Sequence, residues 1–222
     1  MTITADQIPG AGTFPRGLHP PEGKQYSEHA EIEVLPAPKQ VTLPLLQHAG
    51  AACEPCVKPK QELAAGDVVG TSEAFISAPV HTPIAGTAGR ATTVTLPNAR
   101  HVQAIPVAAA DDQPSPEQLR ADVYGGDWSV GDLAALDPQQ IVERVRSAGI
   151  VGLGGAAFPT SVKLLRNEKK PVDTLLINGC ECEPYLTADY RLMLEHPAPI
   201  VAGARIAGHA CGADDVLIVV ED

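Results

Sequence analysis

Gly149-Ile-Val-Gly-Leu-Gly-Gly-Ala-Ala-Phe-Pro-Thr-Ser-Val-Lys163 decides how the second half of this 222-residue chain is read. Four glycines in seven residues let the backbone reach positive φ, come close to a ligand and leave amide N–H groups free to face an anion. Pro159 suits the first turn of a helix, whose exposed N–H groups and positive dipole end favour a phosphate, and Lys163 adds a point charge one turn in. The pattern reads as a phosphate cradle; its rival is a flexible turn packed between a helix and a sheet. Neither common nucleotide fingerprint fits. There is no G-x-x-x-x-G-K-[ST], and the loop follows a helix-like segment where the dinucleotide motif requires a strand.

On the amino-terminal side, Asp137-Pro138 opens a helix with Asp137 as N-cap, Pro138 at its first position and Gln140 placed to complete a capping box. Ile141, Val142 and Val145 form its apolar stripe, and Gly149 ends it as a left-handed cap. On the carboxyl-terminal side, a short helix is expected over 160–167, with Pro171 closing it off. Asp173-Thr-Leu-Leu-Ile-Asn178 is apolar on both faces, as a central strand of an α/β sheet should be. Helices at about 189–195 and 199–211 follow, the second rich in Ala and Gly for close packing and stopped by Gly212, and then a buried strand, Asp215-Val-Leu-Ile-Val-Val220. Strand, helices, strand implies a right-handed crossover joining a parallel pair. Two parallel strands do not cover the helices packed on them, so a fragment, or a partner that completes the sheet, is expected.

Ligand pockets of open α/β sheets form outside the carboxyl ends of strands, where Asn178-Gly-Cys-Glu-Cys-Glu-Pro184 emerges. The glycine loop is expected to face the same crevice. Asn178 can both donate and accept, which suits a ring edge or a hydroxyl.

Further upstream the pattern changes. Residues 30–108 show short β runs at 31–35, 40–45, 67–70, 74–78, 91–96 and 101–107, which suggests a small barrel or sandwich. Residues 109–136 read as a linker or covering loop, anchored by Trp128, the single tryptophan. Residues 1–29, rich in Gly, Pro and polar residues, read as an extended arm, of which Phe14–Pro21 is suited to wrap over a neighbouring domain; His19 and His29 are expected at the surface.

The net charge of −11 is uneven. Residues 1–110 hold 7 basic and 9 acidic residues and the remainder 9 and 18, which argues against nucleic acid as a partner. Within the acidic half, Arg166, Lys169 and Lys170 fit a solvated helix face, and only Lys163 sits at the loop. No run approaches the roughly 20 apolar residues of a membrane span, and the start lacks a secretory pattern, so a cytoplasmic chain, docked to something membrane-bound, is expected. Five cysteines argue against a disulfide framework, and Cys53-Glu-Pro-Cys56 supplies two of the four ligands a structural metal needs, so no metal site is assigned.

Gly152-Leu-Gly-Gly-Ala-Ala-Phe-Pro-Thr160 with Lys163, Leu176-Ile-Asn-Gly-Cys-Glu-Cys-Glu-Pro-Tyr-Leu-Thr187 and Arg191-Leu-Met-Leu-Glu-His-Pro197 together resemble the flavin and NADH binding fold of the complex I flavoprotein subunit. They resemble still more the RnfC-type subunits of Rnf electron-transport complexes, whose amino-terminal part Gly17-Leu-His-Pro-Pro21 and the β-rich region also resemble. Leu63–Gly70 and Ile76–Gly86 are similar to the barrel-sandwich hybrid of biotinyl and lipoyl carriers. A carrier presents a modified lysine, and none lies between Lys60 and Lys163, so a swinging arm is excluded; His81 and Arg90 remain as exposed contact candidates.

The resemblance implies an α+β chain: a small β barrel-sandwich hybrid followed, over 137–222, by an incomplete α/β FMN/NAD-binding domain. It implies that Gly152, Gly154, Gly155, Lys163, Asn178 and Glu181 contact FMN while Phe158 and Glu183 meet NADH. Hydride passes between the two cofactors, so no catalytic acid or base is expected in the protein. The 4Fe-4S clusters would lie beyond Asp222, and the partners would be the other subunits of a membrane electron-transport complex, with ferredoxin reached through it. Three departures bear on the site: Leu153 stands where the complex I pattern has arginine, Ala157 where it has glycine, and Cys180 where it has an aspartate that helps bind flavin. Two other readings are a flavoprotein that reduces a different acceptor such as cobalamin, and a docking module whose glycine loop is only structural.

Overall fold

The computed structural model describes residues 20–221. The expected arm therefore lies largely outside the described residues, including His19 and most of Phe14–Pro21.

The β part holds eight strands: β1 (Gln40–Pro44), β2 (Glu54–Pro55), β3 (Glu62–Leu63), β4 (Val68–Thr71), β5 (Val80–His81), β6 (Gly86–Ala88), β7 (Thr92–Thr95) and β8 (His101–Ala109). β8 is the spine of one antiparallel sheet, flanked by β1, β6 and β7, with β3 beyond β6; β2, β4 and β5 make a second. Val102, Ala104, Ile105 and Val107 of β8 are buried, and Leu43, Leu45, Val69, Val80 and Ile84 meet Ile105 and Val107 in one core. Of the expected barrel or sandwich, the strands form two sheets that share one core, without closing into a barrel.

Two runs with strand-like sequence are not strands. In 31–35, Ile32 N–H donates to Glu195 Oε1 at 2.9 Å and its carbonyl accepts from Arg120 at 2.7 Å, so side chains of the following region take the place of a ladder. In 74–78, the carbonyls of Ala74 and Phe75 accept from Arg146, and Ser77 Oγ is buried against His48 Nε2 at 2.9 Å.

The stretch expected as a linker contains helix α1 (Pro116–Tyr124), capped by Ser115, and a short 3-10 turn at Leu133–Ala135. Trp128 donates its indole N–H to Tyr124 O within that stretch and lies along Pro197, Val201 and Ala202.

Helix α2 (Pro138–Ser147) starts as its sequence dictates, with Asp137 Oδ1 accepting from Gln139 N. The capping box is not made: Asp137 bonds the amide of the second helical residue and not that of Gln140, and no hydrogen bond ties the Gln140 side chain back to the Asp137 amide. Gly149 follows at φ 68°, the expected left-handed stop. Helix α3 spans only Thr160–Lys163. It ends short of the expected residue 167 because Arg166 turns away to the carbonyls of His209 and Ala210, and Asn167 Oδ1 accepts from Lys169 N.

Strands β9 (Thr174–Gly179) and β10 (Asp215–Val220) pair in parallel, joined through α4 (Ala188–Glu195) and α5 (Pro197–Cys211). A Cβ on Gly208 would collide with Val216, so α5 packs on β10 at a distance that only glycine allows. Ile141, Val142, Leu164, Ala210 and Cys211 form the second core. β9 is not a central strand here: Leu176 is exposed, as are Leu217, Val219 and Val220 of β10.

Candidate functional site

The glycine loop is a hairpin closed at its base. Val151 bridges Pro159, Gly152 N donates to Phe158 O at 2.9 Å, and Thr160 N donates to Ile150 O at 3.0 Å. Above the base, a Cβ at Gly154 or Gly155 would meet nothing within 4 Å, and Leu153 stands in solvent at the tip, 91% exposed. The tip of the loop is therefore open, solvent-facing backbone. Lys163 reaches back to the base of the loop: its Nζ lies 2.8 Å from where a Gly152 Cβ would sit, so Gly152 makes room for that ammonium. Among the described residues Lys163 has no hydrogen-bond or ion-pair partner.

Ala157, where the resembled pattern has glycine, sits at φ 46°, a left-handed conformation that costs an L-residue about 1–2 kcal/mol. Its carbonyl accepts from Ala49 N at 3.0 Å, so the β part helps to hold the loop in that state. Gly149, read in the sequence as part of the cradle, faces the β part instead. A Cβ there would lie 2.5 Å from Pro79 O and 3.1 Å from the His81 ring. His81, an expected exposed contact, is half-buried at this junction, where Gln47, His48, Pro79, Gly149 and Val151 line a cavity of about 150 Å³.

The acidic turn leaves the carboxyl end of β9. Asn178 Oδ1 accepts from Cys180 N at 3.0 Å, which shapes the turn and leaves the amide N–H groups of Asn178 to face outward. Glu181 is buried, and its carboxylate accepts from Asp189 N at 2.9 Å and Tyr190 N at 3.3 Å. It thus caps α4, whose N-cap Thr187 makes no such bond. Glu183 is exposed, as is Cys182 beside it. Asp189 completes an acidic group: burial, then the charges of Glu181 and Glu183, push its carboxyl above the ordinary aspartate range.

The loop residues Gly152, Gly154, Gly155, Phe158 and Lys163 form one group, and Asn178, Glu181 and Glu183 another. No hydrogen bond or ion pair among the described residues joins the two groups. Phe158 is half-buried, with its carbonyl in the hairpin base. Of the Cys53–Cys56 pair, read as incidental thiols, Cys53 is buried with Sγ on Ala78 O and Cys56 lies exposed on Val68 O; burial pushes the Cys53 thiol up, and partial desolvation does the same to Cys56.

One element was not legible in advance. The segment 22–32 lies across the acidic turn and α4: Lys24 Nζ donates to the carbonyls of Glu181 and Leu186, Tyr185 N donates to Glu22 O at 2.6 Å, and Arg191 donates to Glu28 O at 3.1 Å. A single lysine in a Gly- and Pro-rich stretch carries no periodicity or spacing that would have marked it.

The donor set of the loop suits a phosphate group: an open backbone face at Gly154 and Gly155, and an ammonium with no partner among the described residues. Two family models match the chain, in this order: the RnfC barrel sandwich hybrid domain over residues 12–113 and the Nuo51 FMN-binding domain over residues 145–222. Among curated relatives, the C-type subunit of the ion-translocating oxidoreductase complex of Rhodobacter capsulatus is 38% identical over 92% of this chain and 38% of its own length. The corresponding subunit of the proton-translocating ferredoxin:NAD(+) oxidoreductase complex of Clostridium ljungdahlii is 34% identical over 95% and 44%. That of the Na(+)-translocating complex of Acetobacterium woodii is 36% identical over 95% and 46%. The chain spans less than half the length of these relatives. With a barrel sandwich hybrid region preceding an FMN-binding region, and with relatives of one kind matched across nearly its whole length, the chain belongs to the RnfC-type family.

Proposed function

We propose that this chain is the electron-input part of an Rnf-type oxidoreductase subunit. It would hold FMN between the glycine loop and the acidic turn, with NADH as hydride donor, in a peripheral subunit on the cytoplasmic face of the membrane. No helix among the described residues is long and apolar enough to cross a membrane, which fits a peripheral place. Iron–sulfur clusters in the rest of a full-length subunit would receive the electrons and pass them to membrane partners, with ferredoxin as the distant acceptor. When bound, FMN supplies the chemistry: it takes a hydride as two electrons and gives them up singly.

The tasks left to the residues are binding and orientation. Amides of Gly154 and Gly155 would face the phosphate and Lys163 would neutralise it. Asn178 would offer its amide N–H groups to the ring edge or a ribityl hydroxyl. Glu181, fixed by the α4 amides, has lone pairs left to accept a further hydroxyl. Phe158 and Glu183 would meet the nicotinamide nucleotide and hold the two rings face to face.

The observation that carries the reading is the Lys163 ammonium, without a partner among the described residues, at the base of a glycine hairpin whose tip is open. In the full-length subunit, Lys163→Ala is expected to weaken FMN binding about tenfold, the share of one exposed charge-assisted hydrogen bond. Riboflavin, which lacks the phosphate, should bind the variant and the parent alike; flavin fluorescence titration reads both. A full-length subunit that binds no FMN and shows no NADH-driven dye reduction would overturn the proposal.

A further inference from the structure

Residues 22–32 precede β1, yet their polar contacts are with the acidic turn, with α4 and, at Ile32, with α1. Lys24 is central to this strap. Its ammonium donates to the carbonyls of Glu181 and Leu186, the two ends of the turn, and so closes the turn from outside. Tyr26 stacks on Tyr185 with ring centroids 6.2 Å apart. Thr187 Oγ1 and Ser27 Oγ are 2.8 Å apart, and Ser27 Oγ donates to Tyr185 O at 3.3 Å.

The turn needs such support. Tyr185 is held at φ 68°, a conformation a bulky L-residue avoids unless its surroundings impose it. Glu181, Glu183 and Asp189 also place three carboxyl groups close together, and among the described residues Lys24 is the cation bonded to this turn. Its hydrogen bonds to the Glu181 and Leu186 carbonyls set the backbone of the turn.

We propose that Lys24 is a positioning residue of the flavin site: the strap forms a third side of that site and fixes the acidic turn that meets the ring and ribityl part of the flavin. This rests on the flavin reading above. Lys24 acts through Glu181 and the turn backbone, not by touching the phosphate.

The test uses the full-length subunit with Lys24→Met, which keeps the stem and removes the charge, and Lys24→Arg, whose guanidinium can still span two carbonyls. FMN and riboflavin affinities are expected to fall together, by about tenfold in Lys24→Met, with substantial recovery in Lys24→Arg. Hydrogen exchange at the Asp189 and Tyr190 amides should accelerate in Lys24→Met and return toward the parent rate in Lys24→Arg. Loss of FMN affinity with riboflavin unaffected would mean that Lys24 serves the phosphate, and would overturn the inference. So would a lowered melting temperature with both affinities unchanged. If the parent subunit binds neither flavin, the flavin reading itself has failed; if it binds both and Lys24→Met binds them equally well, only this inference falls.

Discussion

At the scale of single residues, the acidic turn combines one carboxylate that is satisfied with one that is not. Glu181 gives its charge to the first amides of α4, whereas Asp189, one residue into that helix, is disfavoured as an anion by burial and by Glu181 and Glu183. A carboxyl whose folded-state pKa is raised costs stability once it ionises. The penalty is absent below the ordinary aspartate range and complete above the raised value. Asp189→Asn should therefore gain on the parent as pH rises from about 3 to 7. Solvent screening at this exposed position keeps the gain within about 0.5 kcal/mol. Thermal melts across that range measure it, and a gain independent of pH would count against this cause.

At the scale of elements, Glu195 is the knot that ties three segments. Its carboxylate accepts from Arg191 of α4 at 2.7 Å, from Arg120 of α1 at 2.9 Å, and from the Ile32 amide of the strap. The Arg191 hydrogen bonds hold its carboxyl below the ordinary glutamate range, with the Ile32 amide and Arg120 adding to the effect against the opposing cost of burial. The sign here is opposite to that of Asp189. The stabilisation is present above the ordinary range and is lost as pH falls through the depressed value. Glu195→Gln should therefore be less stable than the parent at pH 7, with the difference closing on acidification. Loosening of residues 28–32, read by hydrogen exchange, should accompany it.

At the scale of the whole molecule, the two cores are coupled at the base of the glycine hairpin. Arg146 of α2 grips the carbonyls of Ala74 and Phe75, Ala49 N bonds Ala157 O, and Gly149 fits under Pro79. Gly149→Ala meets two obstacles at once, a left-handed φ and a carbonyl at 2.5 Å. It should cost about 2 kcal/mol or more. Calorimetry of the full-length subunit would show this as a lowered transition temperature. An unchanged transition would mean the junction is looser than its contacts imply.

Much of the second half is written in local chemistry. The stop at Gly149, the Asp137 cap, the strands at 174–179 and 215–220 and their parallel crossover follow from backbone preferences and from apolar periodicity over a few neighbouring residues. The open glycine hairpin with Lys163 was legible for the same reason, since its residues lie within fifteen positions of one another. What only the tertiary structure decided is where distant groups meet. Strand-like runs at 31–35 and 74–78 lost their ladders to arginine and glutamate side chains from other regions. Glu181 became a helix cap, and Lys24, 157 residues away in sequence, closed its turn. A side-chain hydrogen bond of that range leaves no periodic trace in a chain; it exists only once two surfaces have packed and a buried polar group must find a partner.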